Sequence, residues 1–95
     1  MSSVMIDTER GVVRASGDLD IQCAPMMRNA LHQVCDVGGS DVVIDMSEVT
    51  FMDSTGLREL LKVTSDGHNV TLLGVPRQVR VLLDLAGVDS LFTIT

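Results

Sequence analysis

One short stretch of the sequence, residues 45–57, concentrates acidic and hydroxyl side chains. Two adjacent hydroxyl residues, Ser54 and Thr55, follow Asp53 directly and precede Gly56. A serine hydroxyl in such a setting can act as a nucleophile when a base lies within hydrogen-bond reach, or it can accept a phosphoryl group from a kinase. These two chemistries, together with simple helix capping, are the hypotheses that the stretch raises.

A nucleophilic serine needs a base, and the sequence places none beside it. His32 falls in the middle of a predicted helix and His68 in a predicted turn. There is no G-x-S-x-G turn and no G-x-x-x-x-G-K-[ST] phosphate loop. We therefore predict no catalytic residues, no cofactor and no enzymatic activity.

Helix capping accounts for part of the stretch. Asp, Ser and Thr are common N-caps because a side-chain oxygen accepts a hydrogen bond from an unpaired amide of the first turn. One helix needs only one such residue, and a glycine at position 56 weakens the first turn by about 1 kcal/mol relative to alanine. Gly56 indicates that another surface approaches the backbone closely there.

Phosphorylation of Ser54 is the third hypothesis. It would add about −1.5 to −2 charges at the start of a helix, where the dipole and the free backbone amides accommodate an anion. A partner that presents carboxylates or tightly packed apolar surface would be repelled. The sequence thus predicts a switch by surface charge, in which the fold survives the modification.

Apolar periodicity and glycine or proline positions predict the elements that hold this stretch. Strands are expected at 4–6, 11–17, 41–45, 69–74 and 92–95; helices are expected near 25–37, 54–67 and 76–86, and a loop at 46–53. The first two strands are joined too closely for a helix and should be antiparallel. We predict one domain over residues 1–95, of the α/β class, with a small mixed sheet of four or five strands and three main helices. Ser54 then lies at the end of a buried strand, where open α/β sheets bind ligands and partners.

Composition disfavours several partners. The net charge is −6, the basic residues are scattered, and only two residues are aromatic, so neither nucleic acid nor an anionic membrane surface is expected to bind. Cys23 and Cys35, predicted on one helix about 18 Å apart, should be free thiols. With no C-x-x-C or H-x-x-x-H we expect no metal site. Without a recognisable signal peptide or long apolar run, we expect a cytoplasmic protein.

Three motifs together resemble the STAS family, specifically bacterial anti-sigma factor antagonists. The sequence at 17–20, G-D-L-D, is similar to a family motif before the first helix. The sequence at 51–57, F-M-D-S-T-G-L, is similar to the family signature, and 79–92 is similar to the last helix and its small-residue turn. The resemblance covers essentially the whole chain.

The resemblance implies a function. Such proteins bind an anti-sigma factor that is an ATP-dependent serine/threonine kinase, which frees the sigma factor; the kinase phosphorylates the serine after the aspartate, here Ser54, and a phosphatase resets it. Asp53 would orient the hydroxyl. The expected partner-binding residues are Met52, Asp53, Thr55, Gly56, Asp20, Ile21 and Gln22.

Two alternatives and two departures from the family remain. A STAS docking subunit of a lipid-transport ABC complex is similar in length and at 69–72, and a nucleotide-binding module could use the same helix N-terminus. The second helix is about one turn shorter than usual, and the sequence ends at Thr95, where many members add a helix. A less covered sheet edge or face would favour weak self-association.

Overall fold

A computed structural model describes the backbone of residues 3–7, 12–38 and 41–95 and the side chains of 12–36 and 41–95. Within these ranges the strands are β1 (Ser3–Asp7), β2 (Val12–Leu19), β3 (Asp41–Met52), β4 (Asn69–Leu73) and β5 (Thr93–Ile94). The helices are α1 (Ala24–Gly38), α2 (Ser54–Ser65) and α3 (Arg77–Ala86), followed by a 3-10 turn at Asp89–Leu91. Gly11 and Gly39, at the ends of predicted elements, lie outside the described residues.

The strands form one mixed sheet in the order β1-β2-β3-β4-β5. β1 is antiparallel to β2, and β2, β3, β4 and β5 run parallel to one another. Each parallel step from β2 to β4 is made through a helix, as crossover connections require. The predicted fold class, the antiparallel first pair and the three helices are confirmed.

All three helices contribute to one hydrophobic cluster with one face of the sheet. Alternate residues of β3 and β4, such as Val42, Ile44 and Leu72, are fully buried in it. Residues at the intervening positions are exposed or half-buried, and an ion pair between Arg14 and Asp45, with 3.6 Å between the charged atoms, lies among them. The core is aliphatic with methionine filler, as the composition predicts.

The predicted loop at 46–53 is wrong, because β3 continues to Met52. β3 pairs with β2 as far as Leu19↔Met52, with two register shifts along the way. Each shift adds a residue to β3, so that Met46, Val49 and Met52 all face the core at a spacing of three rather than two. The interrupted alternation hid the second half of the strand from a search for period-two patterns.

The predicted placement of Cys23 is also corrected. Cys23 lies in the turn before α1 rather than in the helix; it is buried, and Cys35 is half-buried, both with free thiols. Burial, with a smaller contribution from the nearby Asp20 carboxylate, raises the pKa of the Cys23 thiol. The second helix begins at Ser54, directly after Asp53, as predicted. In the described part of the chain, no helix has the length and apolar character needed to cross a bilayer.

Candidate functional site

The candidate site lies where two neighbouring parallel strands end at the same edge of the sheet. Leu19 of β2 pairs with Met52 of β3, and the Asp53 amide donates a hydrogen bond to the Leu19 carbonyl at 3.3 Å. The connections that follow, residues 20–22 and 53–55, are thereby held side by side. We call these two segments the crest.

Asp53 caps the helix that carries the serine. Its Oδ1 accepts hydrogen bonds from the amides of Thr55 (2.9 Å) and Gly56 (3.1 Å), and its backbone is extended, as an N-cap requires. The capping hypothesis is therefore right for Asp53. Since that carboxylate already caps α2, the Ser54 hydroxyl is not needed for this purpose.

Asp20 fixes the neighbouring turn in a similar way. Its Oδ1 accepts hydrogen bonds from the amides of Gln22 (3.1 Å) and Cys23 (3.3 Å), and its carbonyl accepts one from Ala24 at 3.0 Å. The turn leaves Ile21 71% exposed beside the end of β2. Asp20 is half-buried and Gln22 is exposed, so the side chains of residues 20–22 differ in how accessible they are to a partner.

Ser54 is the first residue of α2 and is exposed, while Thr55 is half-buried. A hydroxyl at such a position can be reached by another protein without unfolding of the helix. Of the two hydroxyl residues, Ser54 is therefore the more accessible.

The amides expected to cradle a phosphate at this terminus are partly occupied. Those of Thr55 and Gly56 already donate to Asp53 Oδ1. A phosphate on Ser54 would therefore lie next to a carboxylate that holds two of the donors it would use. The expectation of free amides is therefore corrected at these two positions.

Met52 and Gly56 support the crest from below. Met52 is 5% exposed, and Gly56 is buried. A Cβ on Gly56 would lie 2.4 Å from the Leu19 carbonyl oxygen and 3.0 Å from Met52 Cγ. The surface that approaches this glycine is the chain itself, and contact of Met52 and Gly56 with a partner stays a prediction.

Two exposed apolar side chains near the crest escaped the sequence analysis. Phe51, opposite Asp18 in the β2–β3 pair, is 46% exposed, and Met26, in the first turn of α1, is 43% exposed. Methionine in an amphipathic helix is usually part of the core, as Met27 is here. Phe51 follows a β-bulge, which changes the face of the sheet on which its side chain would be expected. With Ile21 they give the region of the crest an apolar character that a partner can bury.

A buried carboxylate joins the two helices that begin at the crest. Glu59 of α2, 3% exposed, accepts hydrogen bonds from Arg28 Nε and Nη2 of α1, both at 3.3 Å, and from Lys62 Nζ at 3.2 Å. Burial alone would raise the pKa of Glu59, but the Arg28 and Lys62 hydrogen bonds and charges leave that pKa below its usual value. These contacts tie α1 to α2 beneath the crest.

The Glu59 cluster lines a cavity of about 280 Å³ between α1 and α2, away from Ser54. His68, at its margin, has a buried Nδ1 without a hydrogen-bond partner. Across the residues whose side chains are described, no set of three or more His, Cys, Asp or Glu residues is placed to hold a metal ion.

Comparison with known proteins bears on the whole chain. The family model described as "Mlab, STAS domain" matches residues 2–93. The chain belongs to the STAS domain family. This STAS domain is 29% identical over 86 residues to the anti-sigma-B factor antagonist of Staphylococcus epidermidis, covering 86% of this chain and 80% of that protein. The protein of the same name from Staphylococcus aureus (strain NCTC 8325 / PS 47) is 26% identical over the same length and coverage.

Solved structures share the architecture of this STAS domain. An anti-sigma factor antagonist from Mycobacterium paratuberculosis superposes with a TM-score of 0.85 at 25% identity, over 99% of this chain and 85% of that chain. The anti-sigma factor antagonist SpoIIAA in its unphosphorylated form superposes with a TM-score of 0.66 at 17% identity, over 100% and 87% of the two chains. At that identity the likeness to SpoIIAA shows the fold alone.

Proposed function

We propose that this STAS domain is an anti-sigma factor antagonist that is switched off by phosphorylation of Ser54. The observation that carries the proposal is the exposed Ser54 hydroxyl at the start of α2, beside a carboxylate and close to the exposed side chains of Ile21 and Phe51. The names of the relatives from both staphylococci support the same function.

The proposed partner is an anti-sigma factor that acts as an ATP-dependent serine/threonine kinase. It would bury the apolar side chains around the crest and contact Asp20, Gln22, Asp53 and Thr55 at the polar rim, as protein interfaces commonly combine an apolar centre with a polar border. Binding releases the sigma factor that the anti-sigma factor holds. A cycle that consumes ATP and acts on transcription belongs in the cytoplasm.

Electrostatics explains the release step. The unmodified crest carries the Asp53 carboxylate, and phosphorylation adds about −1.5 to −2 charges next to it. Because Asp53 already accepts from the Thr55 and Gly56 amides, the phosphate cannot use those donors without displacing the cap. A partner surface that fits the neutral hydroxyl would then face an unpaired, desolvated charge, which is costly. A phosphatase that removes the phosphate restores binding.

The test is incubation with a candidate anti-sigma kinase and ATP, followed by intact-mass measurement, peptide mapping and calorimetric titration of the kinase. We expect one phosphate on Ser54, none in Ser54→Ala, and loss of at least tenfold in affinity after modification, equivalent to about 1.4 kcal/mol. Thr55→Ala is the matched control and should still accept the phosphate. Mapping of the phosphate to Thr55 or Ser47 would refute the site.

The same experiment separates the other functions. A docking subunit of a transport complex would bind a permease or its ATPase with equal affinity before and after kinase treatment. A nucleotide-binding module would show saturable binding of ATP to the isolated chain. Either result, with no binding to an anti-sigma kinase, would replace the proposed function.

A further inference from the structure

The outer face of α3 is apolar although the helix already buries its inner face. Val79 and Leu83 face the core and are at most 1% exposed. Val81 and Leu85, one turn apart and about 200° around the helix from that pair, are 46% and 83% exposed. Leu91, in the 3-10 turn that contacts α3, is 53% exposed. An apolar stripe that points away from the core is typical of an interaction surface.

The charges of α3 are arranged against its own dipole. Arg77 and Arg80 stand in the first turn and Asp84 in the last, whereas a helix is stabilised by acidic residues at its start and basic ones at its end. Asp89 follows just beyond the helix. None of these four side chains forms an ion pair or hydrogen bond with another described residue. Their charges are left uncompensated within the chain.

We infer that α3 is the contact between two copies of this chain, paired antiparallel about a two-fold axis that passes between Val81 and Leu85. In that arrangement Val81 of one copy meets Leu85 of the other, and Arg80 lies within about one turn of the other copy's Asp84. A parallel arrangement would place arginine against arginine. The antiparallel arrangement also opposes the two helix dipoles and brings each basic first turn to an acidic last turn.

The proposed contact leaves the crest free. α3 packs on β3 and on the 3-10 turn, whereas Ser54 begins α2, which packs on α1, β3 and β4. A dimer formed through α3 therefore presents two crests. Because the stripe has few apolar side chains, the surface buried between the two copies is smaller than in a standard protein interface. We therefore expect a dimer dissociation constant of about 0.1–1 mM.

Sedimentation equilibrium of the whole chain tests the pairing. Leu85→Glu should raise the dimer Kd at least about tenfold, because a carboxylate would be buried at the two-fold axis. Ile21→Glu, which changes an equally exposed apolar residue at the crest, should leave the Kd unchanged. A wild-type chain that stays monomeric at about 1 mM overturns the inference, and so does an unchanged Kd in Leu85→Glu.

A charge-exchange pair tests the antiparallel register. The variant Arg77→Asp/Arg80→Asp makes the outer α3 surface acidic, and Asp84→Arg/Asp89→Arg makes it basic. Each should be monomeric alone, since like charges would meet across the axis, and an equimolar mixture should form a heterodimer. A mixture that stays monomeric contradicts the pairing, and circular dichroism of each variant confirms that both are folded.

Discussion

At the scale of single residues, helix capping and the proposed phosphorylation fall on different residues of the crest, Asp53 and Ser54. Asp53 holds two amides of α2, while Ser54 holds none of the contacts that define the helix start. The residue at position 54 can change at little cost in stability, because the neighbouring aspartate does the capping. The same division predicts different outcomes for substitutions at the two adjacent positions.

Asp53→Ala should destabilise the fold by about 1 kcal/mol, since the amides of Thr55 and Gly56 lose their acceptor. Asp53→Asn should lose only a few tenths of a kcal/mol, because an asparagine oxygen caps nearly as well. Urea unfolding measures the difference. Equal losses in both variants would show that the charge of Asp53, and not its hydrogen bonds, is what stabilises α2.

Gly56→Ala should be more harmful than its conservative appearance suggests. The new Cβ would lie 2.4 Å from the Leu19 carbonyl oxygen, which is backbone and cannot rotate away, so a loss of about 1–3 kcal/mol is expected. Ser54→Ala, two residues away and exposed, is the matched control and should stay within about 0.5 kcal/mol. Thermal unfolding of both variants decides whether the glycine serves internal packing.

At the scale of elements, the Arg28–Glu59–Lys62 cluster positions α2 against α1. Removal of the buried carboxylate in Glu59→Gln leaves Arg28 and Lys62 without a charged acceptor and should cost about 2 kcal/mol. Arg58→Ala, the neighbouring exposed position, should change stability by less than about 0.5 kcal/mol. Guanidinium chloride interferes with ion pairs, so urea is the denaturant of choice.

The contribution of Glu59 to the free energy of unfolding has a defined pH dependence. The pKa of Glu59 is lowered in the folded chain, so its contribution is complete above the pKa of an unfolded glutamate, about 4.3, and is lost as the pH falls through the folded value. The stability difference between wild type and Glu59→Gln should be constant from about pH 7 to pH 5 and shrink below about pH 4.3. A difference that grows on acidification would contradict the assigned partners.

Elements with uninterrupted periodicity could be predicted from the sequence, and those with irregular backbone could not. The continuous apolar run at 42–44, between Asp41 and Asp45, correctly predicted the first half of β3. The second half of β3 carries two bulges, which shift its buried positions to a spacing of three. The same irregularity concealed the exposure of Phe51. Asp53 and Ser54 could be predicted as site residues because capping chemistry is local, whereas the Arg28–Glu59 contact joins residues 31 positions apart.

At the scale of the whole molecule, one sheet face carries the core and the crest lies at its edge. β3 connects the two: residues 43–45 pair with both β2 and β4, while the residues that follow pair with β2 and lead to Ser54. A phosphate on Ser54 would thus follow directly after β3, the central strand. It would lie beyond the segment of β3 that pairs with strands on both sides. The proposed charge switch would therefore not require refolding of the sheet.

Amide hydrogen exchange before and after phosphorylation distinguishes a charge switch from a refolding switch. Amides of residues 43–45 should exchange slowest in both states, because they open only with global unfolding. Phosphorylation of Ser54 should change exchange only near residues 53–57, where the phosphate competes with the Asp53 cap. Ser54→Ala after the same kinase treatment is the control and should show no change. Faster exchange in β4 or in residues 43–45 would mean that the phosphate disrupts the sheet, and partner release would then follow from loss of structure rather than from repulsion.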